Sequence, residues 1–140
     1  MAIRQLSAFL ENKPGSLVKV TEALSRASVD MRALSVADTQ DFGILRLIVN
    51  DPDAARAALT ESGILGAETP VVAVGVPDEP GALRNLVGLL SEKEINIEYL
   101  YAFLAPAKGR AFVALRVPDA EKAEAILRDA GFETVSEGAF

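Results

Sequence analysis

Apolar and polar positions follow one pattern that runs through this chain twice. Alternating or fully apolar runs predict strands, and apolar residues that recur every three or four positions predict amphipathic helices. The expected strands are 3–10, 31–38, 44–49 and 64–68 in the first pass, and 71–76, 97–104, 111–117 and 134–136 in the second. The expected helices are 15–28 and 53–62, then one marked by Leu83, Leu86 and Leu90, and one that begins at Pro118-Asp119. Leu17 falls on the apolar face of the first of these helices, and Glu124 is expected on the solvated face of the last.

A Pro-Gly turn joins the first strand to the first helix in both passes. We call residues 11–17 (ENKPGSL) the first Pro-Gly turn and residues 77–83 (PDEPGAL) the second. Pro fixes φ near the value of a turn or a helix start, and Gly lets another group approach the backbone closely. The free amides of a helix N-terminus carry about half a positive charge and suit an anion or a carboxylate. Both turns therefore predict a place where a small anionic group can bind.

The repeated order of elements predicts two copies of β-α-β-β-α-β, at 1–68 and 70–140. This is the ferredoxin-like split βαβ arrangement of the α+β class, with antiparallel sheets and helices on one face. Turns are expected at 38–43 and 105–109. The joint at 68–70 is too short for free movement, and a half of about 60 residues has only a marginal core. We therefore expect the two halves to pack on each other.

Composition removes several classes of function. The net charge is −6, which opposes binding to nucleic acid or to an anionic membrane surface. The chain has no Cys and no His, so thiol nucleophiles, imidazole bases and the usual zinc sites are excluded. No signal peptide and no run of about 20 apolar residues is present. We expect a cytoplasmic protein without metal or other cofactor.

The segments 33–39, 41–46 and 95–103, together with the two Pro-Gly turns in register, resemble the small tandem ACT-domain proteins. The resemblance covers the whole chain. It implies binding of a small ligand, usually an amino acid, where two ACT domains meet edge to edge, with a regulatory role.

The resemblance also implies where the ligand contacts lie. In the family they come from the loop before the Pro-Gly turn with its Gly backbone, and from the polar residue that opens the second strand. The corresponding residues are Asn12 and Gly15, or Asp78 and Gly81, together with Asp30 or Asn96. Crossing the halves pairs Asn12 with Asn96, and Asp78 with Asp30. Two carboxylates would repel an amino-acid carboxylate, so we expect one good site per chain, built on Asn12, Gly15 and Asn96.

Other interpretations remain open at this point. Asn and Asp are also common turn and cap residues. Segment 108–115 partly matches the strand signature of an RNA-recognition motif, but it lacks two of the three aromatic positions on which bases stack. An enzyme would have to use residues other than His or Cys, and we find no convergent set. A free-standing sensor and a regulatory subunit of a metabolic enzyme are both compatible with the sequence, as is a homodimer.

Overall fold

The computed structural model describes residues 2–38, 42–64, 66–104 and 109–137. In these ranges the chain forms seven strands and four helices, which confirms the predicted α+β class. In chain order they are β1 (Ile3–Glu11), α1 (Ser16–Arg26), β2 (Met31–Asp38), β3 (Phe42–Val49), α2 (Pro52–Glu61), β4 (Gly66–Pro77), α3 (Ala82–Glu92), β5 (Tyr99–Ala102), β6 (Arg110–Arg116), α4 (Ala120–Asp129) and β7 (Glu133–Val135).

The described residues divide into two compact units. The first unit comprises residues 4–69, and the second comprises residues 2–3 with 70–137. The predicted hairpin turn at 38–43 and the turn at 105–109 lie largely outside the described residues.

In the first unit, β3 lies between β1 and β2 and is antiparallel to both. The start of β4 lies beside β1, where a Cβ added at Gly66 would come within 3.1 Å of the Ser7 carbonyl oxygen. Alternate residues of β1 such as Leu6 and Ala8 are buried with Val20 and Leu24 of α1 and Leu59 of α2. Because the period-2 face of the strands meets the 3.6-period faces of the helices, both helices cover one face of the sheet.

The second unit repeats this arrangement. Its strands follow the order β7-β4-β6-β5, and every neighbouring pair is antiparallel. Val72, Val74 and Val76 of β4 pack with Leu86 of α3 and Leu127 of α4 in a single core. The predicted ferredoxin-like order is therefore confirmed in each unit.

Three predicted details of the strands are wrong. The strands expected at 64–68 and 71–76 form one strand, β4, because Pro70 excludes the α region for Thr69 and both residues are compatible with extended backbone. The strand expected at 97–104 is shorter, because only Tyr99–Ala102 pair in register with β6. The last strand lies one residue earlier than predicted.

Burial on the helices also differs from the prediction at three positions. Leu17 and Leu83, at matching places in the first turns of α1 and α3, are each 41% exposed, although their spacing placed them on the buried faces. Glu124 was expected on the solvated face of α4 but is only 4% exposed, and its carboxylate forms an ion pair with Arg128 one turn later. Over the described ranges, no helix is long and apolar enough to cross a membrane.

Candidate functional site

The two Pro-Gly turns have the same backbone conformation. Gly15 has φ 89° and ψ −16°, and Gly81 has φ 88° and ψ −12°, both in the left-handed region. A Cβ built on either residue would find no heavy atom within 4 Å. Gly is therefore required by the backbone angle and not by crowding, and the space beside both residues is open.

Hydrogen bonds within the turns repeat in the same way. The amide of Lys13 donates to the carbonyl of Glu11 at 3.0 Å, and the amide of Glu79 donates to the carbonyl of Pro77 at 2.9 Å. The strand therefore enters each helix through the same tight bend, as the repeated sequence predicts.

The four helices begin in two different ways. Asp51 accepts the amide of Ala54 at the start of α2, and Asp119 accepts the amide of Lys122 at the start of α4, both at 3.1 Å. By contrast, α1 and α3 begin at glycines, and neither has a side-chain cap. The first turns of α2 and α4 each carry an acidic residue, whereas those of α1 and α3 carry none. The helices that follow the Pro-Gly turns thus have no side-chain cap at their positive ends, and the first amide of each donates back into its own turn, over 3.4 Å in α1 and 3.3 Å in α3.

A cleft of about 560 Å³ lies against the first Pro-Gly turn, and we call it the Gly15 cleft. Phe9 of β1 and Phe42 of β3 contribute to its wall, and each is 55% exposed. They come together because Phe9 lies opposite Ile44 in the strand register, two residues from Phe42. The other lining residues are Leu10, Glu11, Lys13, Pro14, Gly15, Ser16, Lys19, Gly63 and Ile64.

The charges beside this cleft favour an anion. The Lys13 ammonium lies 2.8 Å from the Glu11 carboxylate. The hydrogen bond from Lys13 and its positive charge, with a smaller effect of Lys19, lower the pKa of Glu11, and the same contact raises the pKa of Lys13. Two cations therefore face one carboxylate next to an uncapped helix start. Sequence reasoning missed both lysines, although each lies within one turn of Gly15.

Asn12 and Asp78 occupy matching exposed positions in the bends before the two glycines. Asn12 is not among the residues that line the Gly15 cleft. The backbone amide of Asp78 donates to the carbonyl of Gly109 at 3.0 Å, which ties the second turn to the loop before β6.

Asp30 and Asn96 are the polar residues expected at the opening of the second strand of each unit, and their surroundings differ. The amide of Asp30 donates to Oδ1 of Asn50 at 2.9 Å, and its carboxylate accepts from Arg32, also at 2.9 Å. These contacts give Asp30 a structural role. Within the described part of the chain, the side chain of Asn96 has no hydrogen-bond partner.

Asn96 lies in a second cleft of about 450 Å³, which we call the Asn96 cleft. Its other lining residues are Val87, Ser91, Glu94, Ile95 and Ile97. The structure thus associates Gly15 with one cleft and Asn96 with another, in different units. The expected pairing of Asn12 with Asn96, and of Asp78 with Asp30, stays a prediction. No group of three or more acidic side chains in the described ranges is placed to hold a metal ion.

The sequence profile of the ACT domain pair matches residues 1–139. This chain belongs to the ACT domain pair family. The resemblance seen in the sequence is therefore confirmed, and with it the single βαββαβ repeat that each of the two units displays. No curated protein matches this chain in sequence.

Solved structures agree with this family assignment. Protein BT0572 from Bacteroides thetaiotaomicron is 37% identical, with a TM-score of 0.92 over 99% of this chain and 95% of that one. The ligand-free regulatory subunit of aspartate kinase from Thermus thermophilus is 20% identical, with a TM-score of 0.67 over 91% and 89%. The regulatory subunit from Thermus flavus is 19% identical, with a TM-score of 0.59 over 91% and 90%. The last two similarities concern the fold alone.

Proposed function

We propose that this ACT pair binds a free amino acid and acts as a regulatory sensor without catalytic activity of its own. The observation that carries the proposal is the contrast between the helix starts. Asp side chains cap α2 and α4, whereas α1 and α3 begin at Gly15 and Gly81 with no side-chain cap and no acidic residue in the first turn. An amino-acid carboxylate can supply the missing cap.

The first Pro-Gly turn offers the better place for that carboxylate. Lys13 and Lys19 add positive charge beside the amides of α1, and the Gly15 backbone leaves room for close approach. The exposed rings of Phe9 and Phe42 provide apolar surface for a side chain. This arrangement supports a zwitterionic ligand whose carboxylate caps α1.

Asn96 supports the proposal from the second unit. Its amide can both donate and accept, so it can bind the ammonium or the carboxylate of an amino acid. Asp30 and Asp78 would place two carboxylates together in the alternative crossed pairing, and Asp30 is already held by Asn50 and Arg32. We therefore propose one good site per chain, built on Asn12, Gly15 and Asn96.

A second candidate function is a regulatory subunit that acts on a separate metabolic enzyme. The Thermus neighbours are regulatory subunits of aspartate kinase. Phe9 and Phe42, which the strand register places on the same face of the sheet of the first unit, are each 55% exposed and offer apolar surface for a protein partner or a second copy of the chain. The homodimer and the cytoplasmic location expected from the sequence stay predictions.

The test is a thermal-shift screen of the purified protein against the twenty amino acids at millimolar concentration. A ligand at about 100 times its Kd adds about 2.7 kcal/mol to the free energy of unfolding, which raises Tm by several degrees. We expect one or a few related amino acids to give this rise, and Asn96→Ala to abolish it. If no amino acid shifts Tm of the wild-type protein, free amino-acid binding by this chain alone is refuted.

A further inference from the structure

All four helices end in the same way, but with different residues. The residue after each C-terminal turn is left-handed: Ser28 (φ 56°), Gly63 (φ 72°), Glu94 (φ 57°) and Gly131 (φ 88°). At each end the next amide donates to a carbonyl five residues back, as Ile95 does to Leu90 at 2.8 Å and Ile64 to Leu59 at 2.9 Å. The fold therefore accepts Gly at this position, and uses it after α2 and α4.

Glu94 is the least expected residue at such a position. Left-handed backbone is unfavourable for L residues, and the exceptions are mostly Asn and Asp, whose short side chains bond locally. Glu has no such compensation, so the backbone alone does not explain it. Strain that a simple change to Gly would remove points to a role for the side chain.

The position of Glu94 indicates that role. Glu94 lines the Asn96 cleft together with Asn96 and Ser91, and Val87 and Ile97 supply apolar wall. In the part of the chain that the structure describes, the Glu94 carboxylate forms no ion pair or hydrogen bond. A free carboxylate, an amide and a hydroxyl on one cleft are the acceptors that a primary ammonium group requires, since it has three donors and no acceptor.

The matching position of the first unit differs in its chemistry. Ser28 takes the place of Glu94, and the carboxylate nearby, Asp30, is already paired with Arg32. The first unit thus lacks a free carboxylate at this point of the fold.

We propose that the Asn96 cleft binds a primary ammonium group, with Glu94 as its anionic partner and with Asn96 and Ser91 as additional acceptors. The inference rests on the proposed function, because the ammonium group is taken to be that of the proposed amino-acid ligand. The apolar residues of the cleft then contact the carbon atoms next to that group.

The test uses two probes that each carry one half of an amino acid. L-Alaninamide has the ammonium but no carboxylate, and N-acetyl-L-alanine has the carboxylate but no ammonium. Both are titrated into 15N-labelled protein at about pH 6.5, below the ordinary pKa of an α-amino group. We expect alaninamide to shift the amide signals of Ser91 and residues 94–97, and N-acetylalanine to leave them unchanged.

Two variants isolate the carboxylate. Glu94→Gln keeps the size of the side chain and is expected to weaken alaninamide binding at least tenfold. Glu94→Gly removes the strain as well, so Tm of the free protein is expected to rise by about 2–6 °C while the alaninamide shifts disappear. Ser28→Gly is the matched control, which is expected to raise Tm similarly and to keep the shifts.

Alaninamide shifts of wild-type size in the Glu94→Gln protein, or no shifts in the wild type, would overturn the assignment. The amino-acid screen above is run on the same samples. A wild-type response to an amino acid together with an unaffected Glu94→Gln protein refutes this inference and leaves the proposed function intact, whereas no response to any amino acid refutes the proposed function itself.

Discussion

Two Gly-to-Ala substitutions in the same part of the chain are expected to have opposite effects on stability. Gly81 begins α3 at φ 88°, and a Cβ there would meet nothing within 4 Å, so strain of the backbone is the whole penalty. That strain destabilises the folded state by about 1–2 kcal/mol. Ala also lowers the conformational entropy of the unfolded chain, which offsets about 0.4–1 kcal/mol of this loss. Gly81→Ala should therefore lower the free energy of unfolding by about 1 kcal/mol.

Gly88 is the matched control, because it lies inside the same helix. Ala is favoured over Gly there by about 0.5–1 kcal/mol. The added Cβ would come within 3.0 Å of the Arg84 guanidinium, which is the far end of a flexible exposed side chain and can move away. Gly88→Ala should thus raise the free energy of unfolding.

The assay is urea unfolding of both variants and the wild type, followed by circular dichroism in the absence of ligand. The two variants are expected to differ from each other by about 1.5–2 kcal/mol, with the wild type between them. The reasoning is refuted if Gly81→Ala is neutral or stabilising, since the left-handed geometry of the second Pro-Gly turn would then not constrain the residue. A loss in both variants would instead contradict the helical environment of Gly88.

The remaining predictions concern capping, the core and charge. Asp119→Ala removes the side-chain cap of α4 and should lower the free energy of unfolding by about 1 kcal/mol in urea titrations, and no change would contradict the cap. Leu86→Ala opens a cavity at a fully buried position and should lower the free energy of unfolding by about 2–5 kcal/mol. Leu83→Ala, at a position that is 41% exposed, should change it by no more than about 0.5 kcal/mol. Equal losses of stability in the two variants would argue against the observed burial. Lys13→Gln should raise the pKa of Glu11 toward its ordinary value in an NMR titration, because Lys13 is the main cause of its lowering. Since the folded pKa of Glu11 lies below the unfolded one, the stabilisation from this pair is present above about pH 4 and is lost as the pH falls through the folded value. It should weaken at high salt, and a Glu11 pKa that ignores the substitution would disprove the coupling.

The features predicted correctly from the sequence are those determined by a few neighbouring residues. Pro14-Gly15 fixes its own turn through the fixed φ of Pro and the freedom of Gly, and both Pro-Gly turns have the geometry expected. The Asp51 and Asp119 helix starts depend on one side chain and an amide three residues later. Local chemistry was sufficient for each of these, and the duplication allowed every element to be checked against its counterpart.

The features that sequence reasoning missed depend on distant neighbours. Pairing with β6 covers only Tyr99–Ala102 of the predicted strand 97–104, and the segment itself does not reveal which of its residues pair. Glu124 is only 4% exposed, and helical periodicity does not reveal such burial at a single charged position.

The Gly15 cleft was missed for the same reason. Phe42 comes beside Phe9 through the pairing of β3 with β1. Both rings line one cleft with Lys13 only in the folded chain. The sequence was sufficient to place the six predicted ligand residues on the two Pro-Gly turns and at the openings of the second strands. It could not show that Asp30 is occupied by its own neighbours.

Isothermal titration calorimetry with the twenty amino acids, followed by recovery of the bound compound, tests the central claim most directly. The account predicts saturable binding of one amino acid, or a few related ones, with one molecule per chain. It also predicts that the ligand is recovered chemically unchanged. No saturable heat with any amino acid, two equivalent sites per chain, or a ligand recovered as a different compound would contradict it.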